Sequence, residues 1–252
     1  MTSRFLNIDL DFFLSGIANM PDGGRLSSED YKPWSKQKVR NFLEGRCGLD
    51  RKSKIPGRFV SNHDAAFDYW EELRRQDGSL FPLELVHIDA HADLGLGDAS
   101  WRHIMTDVLR RPVSERATAE RGPRCLNLGS YIAYAVACRW IGSIEYVYPL
   151  GRGDDLPLLL FQDFSSESGA LQLKCFEREA LDVLKFGGEL IEHLRGVHPV
   201  GVEPSVPFKA IQGAKWRALA PFDRALLCQS PDFTPETADA LIGVFADYID
   251  FR

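Results

Sequence analysis

Short apolar runs alternate along the chain with longer segments of helical spacing. Each run is followed by polar residues or by Gly and Pro, as expected where a strand leaves a sheet. The pattern predicts β-strands at 5–9, 83–89, 144–148, 199–203 and 225–228. Strands that alternate with helices are typical of a mostly parallel sheet with helices on both faces, so the predicted fold class is α/β.

Apolar positions at helical spacing predict helices at 63–75, 100–111, 130–141 and 234–249. The last begins with Thr234, Pro235 and Glu236, a capping residue followed by a first-turn proline and a first-turn acid. The polar region 16–61 is predicted to be a long loop with one helix near 35–44. Such loops often form the walls of a site.

Composition and charge narrow the class of protein. The 252 residues are 44% hydrophobic and 26% charged, and Pro, Gly and Ser are spread along the chain, so we expect one domain that spans 1–252. The formal charge of −6 argues against nucleic acid or an anionic membrane as a partner. It suits a cationic substrate or a metal site rich in carboxylates.

Cysteine usage and the first residues of the chain bear on the compartment. The five cysteines include no CxxC pair, so they are expected to be reduced and mostly buried. The opening MTSRFLNIDLDFF has aspartates where a signal peptide requires an apolar stretch, and no segment approaches the length of an apolar membrane span. These features predict a cytoplasmic protein.

The segment HIDAHADLG follows an apolar run and is the strongest candidate for chemistry. If the chain stays extended, His87, Asp89, His91 and Asp93 share one face, because side chains alternate across a strand. Carboxylates this close repel one another unless a cation lies between them, so the pattern favours a metal site. The alternative is a solvated strand edge with a hydrogen-bonded histidine.

A second acidic pair, Asp9 and Asp11, lies in the apolar segment FLNIDLDFFL. Two charges among large hydrophobic residues need compensation, either from a metal or from a salt bridge to an arginine. His63, in FVSNHDAAFDYW, is a further candidate ligand, although a histidine near a helix start is also a common capping or surface residue. Oxygen ligands with one or two imidazoles favour manganese or magnesium over structural zinc.

These motifs resemble the arginase and ureohydrolase superfamily, whose DAHxD motif is DAHAD at 89–93 here and whose DxD motif is DLD at 9–11. The chain is most similar to an arginase-like family in which a histidine strand, an HxDxHxDL segment, an asparagine-led helix and a DLDFF segment recur. Some members of that family are peptide arginases. They convert arginine to ornithine within ribosomally made precursor peptides during natural-product biosynthesis.

The resemblance implies a three-layer arginase-like fold that holds two manganese ions per chain. One ion would be bound by His63, Asp89, Asp93 and Asp9, and the second by His91, Asp89, Asp9 and Asp11. Asp89 and Asp9 would then bridge the two ions. A metal-bridging hydroxide, oriented by Asp93, would hydrolyse the arginine side chain of a precursor peptide to ornithine and urea.

Two departures from the family pattern affect the expected site. The DxD motif normally follows DAHxD but here opens the chain, which requires a permuted strand order. The glutamate with which arginases hold the guanidinium group also lacks a direct match, and Glu203 is the candidate for that role. His103 is expected to protonate the leaving amine, and Asn127 is expected to line the pocket.

The residues alone leave other functions open. An arginase-fold zinc deacylase uses two aspartates and a histidine around a single ion, but it would leave Asp11, Asp93 and His63 uncompensated. An aspartyl-nucleophile phosphatase also opens with DxD after a strand and would take magnesium ligands from 153–155, yet it leaves DAHAD unexplained. Outside the enzymes, the alternative is a catalytically inert, metal-containing peptide-binding protein.

Overall fold

An eight-stranded sheet forms the centre of the protein in a computed structural model. The structure describes residues 3–19, 23–153, 155–182 and 187–251, so Asp154, an alternative magnesium ligand, lies outside the described residues. The strands are β1 (Arg4–Asp9), β2 (Ile55–Val60), β3 (Leu83–Ile88), β4 (Ile141–Tyr148), β5 (Ala170–Leu171), β6 (Lys174–Cys175), β7 (Gly201–Val202), β8 (Val206–Gln212), β9 (Arg224–Cys228) and β10 (Ile249–Phe251).

The order of strands across the sheet differs from their order along the chain. The central sheet runs β10-β2-β9-β1-β3-β4-β8-β5, and its strand pairs are parallel except for β5 with β8. β6 and β7 form a separate antiparallel pair. The first strand of the chain is therefore an interior strand, between β9 and β3.

Helices cover both faces of the central sheet. They are α1 (Lys36–Gly45), α2 (Ala65–Gln76), α3 (Trp101–Thr106), α4 (Tyr131–Ala137), α5 (Arg178–Leu181), α6 (Gly187–Arg195) and α7 (Ile242–Phe245). Buried residues of α2, α3 and α4 join one apolar cluster, and those of α1 and α7 join another. The side chain of Ser35 caps α1 by accepting a hydrogen bond from the backbone amide of Lys38.

β1 shows how the sequence produces these layers. Every residue of the strand is buried. Phe5 belongs to the apolar cluster on the α2 side, whereas Leu6 and Ile8 belong to the cluster on the α1 side. A strand covered on both faces reads as a nearly continuous apolar run. Asn7 and Asp9 interrupt that run, so each needs a local source of hydrogen bonds or charge compensation.

The predicted α/β class, with a mostly parallel sheet and helices on both faces, is confirmed. The strands predicted at 5–9, 83–89, 144–148 and 225–228 correspond to β1, β3, β4 and β9. The strand predicted at 199–203 instead contributes β7 to the small antiparallel pair. The sequence pattern did not predict β2, because Pro56 and Gly57 are poor strand formers. Gly57 is needed there, since an added Cβ would lie 2.6 Å from the carbonyl oxygen of Ala225.

The helix predictions are right in place and less accurate in extent. α1, α2, α3 and α4 lie within or close to the predicted segments, and the last two are shorter than predicted. The helix predicted at 234–249 is instead a 3₁₀ turn at Glu236–Leu241, the short α7 and then β10. The hydroxyl of Thr234 donates to the carbonyl oxygen of Ser230 at 2.9 Å, so it does not cap a helix start. Among the described residues, no helix is both long enough and apolar enough to cross a membrane.

Candidate metal centre

The carboxyl ends of four neighbouring parallel strands meet at one edge of the sheet. β2, β9, β1 and β3 lie side by side, and the pairing of Ile8 with Ile88 places Asp9 next to Asp89. His63 follows the end of β2 at the same edge. NIDLDFF therefore reaches the same site as HIDAHADLG although the two segments are far apart in the chain. Sites in parallel sheets characteristically form where the strands end.

His63 lies at the centre of a first group of carboxylates. Its Nδ1 atom is 3.1 Å from Asp9 Oδ2, 3.0 Å from Asp89 Oδ2 and 3.3 Å from Asp93 Oδ2. All of these side chains are buried. Where three carboxylates face one imidazole nitrogen, that nitrogen must either carry a proton or share a cation with the oxygens.

His91 lies at the centre of a second group, which adjoins the first. Its Nδ1 atom is 2.9 Å from Asp11 Oδ2 and 3.7 Å from Asp89 Oδ1. Asp89 thus directs Oδ2 towards His63 and Oδ1 towards His91. Asp89 could therefore serve both groups if each of them held a cation.

The two histidines offset the negative charges of this cluster only in part, although the neighbouring carboxylates raise the pKa of His91 to about 10 against the effect of burial. Burial raises the pKa of Asp89 well above its ordinary value, and the nearby carboxylates of Asp11, Asp93 and Asp9 raise it further. Burial and the charge of Asp9 raise the pKa of Asp11. Burial raises the pKa of Asp93 to about 6 against the opposing effect of His63. Bound cations stabilise the ionised form of such carboxylates.

Asn7 orients the histidine rings from behind. Its Oδ1 atom is 3.3 Å from His63 Nε2, and its Nδ2 atom lies 3.2 Å from His87 Nδ1 and 2.6 Å from the hydroxyl of Tyr131. If a cation lies between Nδ1 and the carboxylates, this arrangement would keep the proton of His63 on Nε2 and leave the lone pair of Nδ1 for the ion. His87 then carries its proton on Nε2, which donates to the carbonyl oxygen of His91 at 3.0 Å.

The sequence pattern did not indicate Asn7 as a site residue. It precedes Asp9 by two positions in β1, so both side chains point to the same face of the sheet. A polar residue at that spacing inside an apolar strand was the available signal. Two further residues lie at the end of β9, at the same edge of the sheet. The hydroxyl of Ser230 donates a hydrogen bond to Asp9 Oδ2, and Cys228 is close to Asp9 and His63.

The segment that follows β3 is a turn, which corrects the expectation of one extended face. β3 ends at Ile88, and the backbone amide of His91 donates to Asp89 Oδ1 at 2.7 Å. Asp93 has a left-handed φ of 51°, a conformation that aspartate adopts more readily than most residues. Another carboxylate holds this turn, since Asp11 Oδ1 accepts a hydrogen bond from the amide of Ala90 at 3.2 Å. The ligand-type side chains converge because the chain turns.

The cluster forms the base of a cavity of about 530 Å³, which we call the acidic cavity. Its carboxylates belong to Asp9, Asp11, Asp89, Asp93, Asp98 and Asp155. No lysine or arginine lines it among the described residues. Leu96 and Leu128 also line it, and both are exposed large apolar side chains. The cavity therefore combines a strongly negative interior with apolar residues that are open to solvent.

Asn127 lines the acidic cavity, as expected from the sequence, but its amide is engaged within the protein. Nδ2 donates to Asp98 Oδ2 at 2.7 Å and to the carbonyl oxygen of Cys125 at 3.0 Å, and Oδ1 accepts from the amide of Gly129 at 2.9 Å. These bonds hold the two loops that form one wall of the cavity. Asn127 therefore maintains the shape of this wall through its hydrogen bonds within the protein.

His103 does not lie in the acidic cavity, which corrects its expected role as the proton donor to the leaving amine. It lines an adjacent cavity, and its Nδ1 atom is 2.6 Å from the hydroxyl of Tyr134. α3 begins at Trp101, several residues after the ligand turn, and His103 on this helix lines the adjacent cavity and not the acidic one. The spacing between Asp93 and His103 in the sequence does not predict which cavity the imidazole lines.

Glu203 is also absent from the acidic cavity, so the expected guanidinium contact is corrected. Its Oε1 accepts from Arg116 at 2.7 Å and its Oε2 accepts from Arg139 at 2.8 Å. Burial alone would raise the pKa of Glu203, but the hydrogen bonds from these two arginines hold the pKa below its ordinary value. Both carboxylate oxygens are occupied by the protein itself, which is the pattern of a structural ion pair.

We expect Glu203→Ala to lower the free energy of unfolding by about 3 kcal/mol, because it leaves the buried guanidinium of Arg116 unpaired. The side chain of Arg116 is 5% exposed and that of Arg139 is 51% exposed, so Arg139→Ala should cost much less. Urea unfolding at neutral pH measures both variants. Unchanged stability of Glu203→Ala together with weakened substrate binding would restore the original expectation.

The donor chemistry of the cluster fits divalent cations. Oxygens of buried carboxylates and the imidazole nitrogens of His63 and His91 suit Mn²⁺ or a similar ion. Ligand-type atoms of Asp11, Asp89 and His91 lie within 4.8 Å of one another, and so do those of Asp9, His63 and Cys228. His87 is part of one candidate group, but its Nε2 proton is directed at the carbonyl oxygen of His91. The predicted ligands Asp9, Asp11, His63, Asp89, His91 and Asp93 therefore all lie together.

A scan against protein-family models and searches of curated proteins and solved structures found no match to this chain. Any functional conclusion therefore depends on the geometry and charge of the site itself.

Proposed function

We propose that the protein is a manganese-dependent peptide arginase with an arginase-like three-layer fold. It would hydrolyse arginine side chains of a precursor peptide to ornithine and urea. The observation that carries the proposal is the pair of imidazole–carboxylate groups that share Asp89 at the base of the acidic cavity. A cavity with this charge selects cationic ligands.

The two groups indicate which residues would hold two ions. His63, Asp9, Asp89 and Asp93 would hold one, and His91, Asp11, Asp89 and Asp9 would hold the other. Bound divalent ions of this kind lower the pKa of water towards neutrality and polarise the bond to be hydrolysed. Asp89 suits the bridging position because each of its oxygens faces a different histidine.

Charge arithmetic supports a guanidinium substrate over an acylated lysine. Two divalent ions would offset the four carboxylates of the donor groups, which leaves Asp98 and Asp155 as negative charges on the cavity wall. Arg152 contacts Asp155 at 2.9 Å and offsets that charge in part. A net negative wall attracts a guanidinium, whereas a neutral acyl-lysine gains nothing from it.

The protein's own groups have distinct parts in this proposal. Asp93 lies at the edge of the first donor group, where its carboxylate can accept a hydrogen bond from the attacking water and orient it. Leu96 and Leu128 supply exposed apolar surface beside the cavity, where residues that flank the substrate arginine would pack. This surface favours a peptide over free arginine.

Mass spectrometry of manganese-loaded protein incubated with an arginine-containing peptide, and separately with free arginine, tests the proposal. We expect the peptide to lose the mass difference between arginine and ornithine, with release of one urea for each arginine converted. The same peptide with lysine in place of arginine should remain unchanged. Failure to form ornithine from either substrate refutes the proposal.

The same samples distinguish the alternatives. One tightly bound zinc per chain, together with deacylation of an acetyl-lysine peptide, would indicate a deacylase. Peptide binding without any turnover would indicate an inert binding protein. Metal content is measured on the protein as purified and again after exchange into manganese.

A further inference from the structure

Three side chains with different metal-binding atoms lie together outside the acidic cavity. They are His103 on α3 and Glu120 and Cys125 on the loop before α4. One imidazole nitrogen, one carboxylate oxygen and the thiol sulfur all lie within 4.8 Å of one another. None of the three lines the acidic cavity.

Tyr134 orients the imidazole of His103. The hydroxyl lies 2.6 Å from Nδ1, where it can accept a hydrogen bond from an Nδ1–H group and leave Nε2 with a free lone pair. Burial lowers the pKa of His103, which favours the neutral ring that metals require. Histidine ligands of metals characteristically have the second ring nitrogen engaged in this way.

Backbone hydrogen bonds hold Glu120 and Cys125 in one closed turn. The amide of Leu126 donates to the carbonyl oxygen of Glu120 at 3.0 Å, and the amide of Gly122 donates back to Leu126 at 3.0 Å. Cys125 is partly exposed, whereas the other four cysteines are buried. The turn therefore brings ligand atoms of Glu120 and Cys125 within 4.8 Å of each other, and Cys125 is partly accessible to solvent.

We propose that His103, Glu120 and Cys125 form a second, separate metal site that binds zinc. A set of one sulfur, one nitrogen and one oxygen suits the borderline-soft Zn²⁺, and three protein ligands leave one position for water. The acidic cavity differs because oxygens dominate its donor groups. The two sites therefore favour different metals.

The position of this site indicates its role. Leu96–Asp98 immediately precede α3 in the chain and Asn127–Gly129 immediately follow the Cys125 turn, and both segments line the acidic cavity. A zinc ion held by α3 and by this turn ties the two segments together. The site stabilises one wall of the cavity, and its existence does not depend on the arginase proposal.

Cobalt absorption tests the site, because a cobalt–thiolate bond gives a charge-transfer band in the near ultraviolet that oxygen and nitrogen ligands do not give. Protein preloaded with Mn²⁺ is titrated with Co²⁺, and we expect the band to saturate at one equivalent per chain. Cys125→Ser should abolish it, and Glu120→Gln and His103→Asn should weaken cobalt binding at least tenfold. Glu115→Gln, an exposed acid on a neighbouring segment, is the matched control that should retain it.

Absence of the band in the wild-type protein overturns the proposal. The proposal is also overturned if the band is lost in Cys228→Ser and retained in Cys125→Ser, because the thiolate would then belong to the acidic cavity. The band should persist in Asp89→Asn, which separates this site from the proposed arginase centre.

Thiol alkylation provides a readout that does not require the variants to fold. In the wild-type protein, Zn²⁺ should protect Cys125 from iodoacetamide at least tenfold, and a chelator should restore labelling. Peptide mapping by mass spectrometry assigns the labelled cysteine. Unchanged labelling of Cys125 at saturating zinc contradicts the proposal.

Discussion

Replacing Asp89 by asparagine is expected to abolish metal binding at the acidic cavity without destabilising the metal-free protein. In the metal-free state burial raises the pKa of Asp89, and three neighbouring carboxylates raise it further. Removing its charge relieves this repulsion, so the metal-free variant should be at least as stable as the wild type. In the metal-bound state the same change removes the oxygen shared by both donor groups.

Thermal unfolding with and without Mn²⁺ measures both effects. At a metal concentration of 100 times the dissociation constant, wild-type protein should gain about 2.7 kcal/mol of stability. Asp89→Asn should gain none, and metal analysis should find less than one Mn²⁺ per chain. Asp98→Asn is the matched control, because Asp98 lines the same cavity, belongs to neither donor group and accepts its hydrogen bonds from residues outside the ligand turn, so this variant should retain the gain. Stabilisation of Asp89→Asn by metal would contradict the assignment.

Replacing Asn7 by leucine is expected to weaken metal binding 10- to 100-fold, a typical effect of removing the partner of a ligand histidine. Asn7 is fully buried, and in the described structure its side-chain hydrogen bonds go to His63, His87 and Tyr131 and not to the carboxylates. Its effect should pass through His63, whose Nε2 atom lies 3.3 Å from Asn7 Oδ1, and through His87. Leucine has a similar volume, so the main loss is the set of hydrogen bonds.

A double-mutant cycle separates this positioning role from general damage to the fold. In a His63→Ala background, Asn7→Leu should cause little further loss of Mn²⁺ affinity, because the ring that it orients is gone. Isothermal titration calorimetry of the wild type, both single variants and the double variant gives the coupling. An undiminished effect of Asn7→Leu in the His63→Ala protein would show that Asn7 acts on stability and not through His63.

Local pattern was sufficient for the layer architecture and for the position of the main donor residues. The apolar runs that became β1, β3, β4 and β9 are buried on both faces, so their sequences carry a clear signal. Short or edge strands carry a weaker one. β10 has only three residues, and β8 alternates buried with exposed positions and contains a proline.

The metal-site residues illustrate the same division. The types and strand-end positions of Asp9, Asp89 and His91 were readable from the sequence. Asn7 was not singled out, because its role appears only when β1 pairs with β3 and Asn7 comes to lie opposite His87. His103 was assigned by its spacing from Asp93, but the direction of α3 depends on packing against α4 and not on spacing.

The sequence by itself determined the α/β class, the alternation of layers and the chemical types of the metal-binding residues, because these follow from local periodicity and composition. Only the tertiary structure decided that the first strand of the chain lies between β9 and β3. It also decided that Glu203 binds two arginines and that His103 joins Glu120 and Cys125. Strand order and helix direction result from contacts between residues far apart in the chain, which local patterns do not encode.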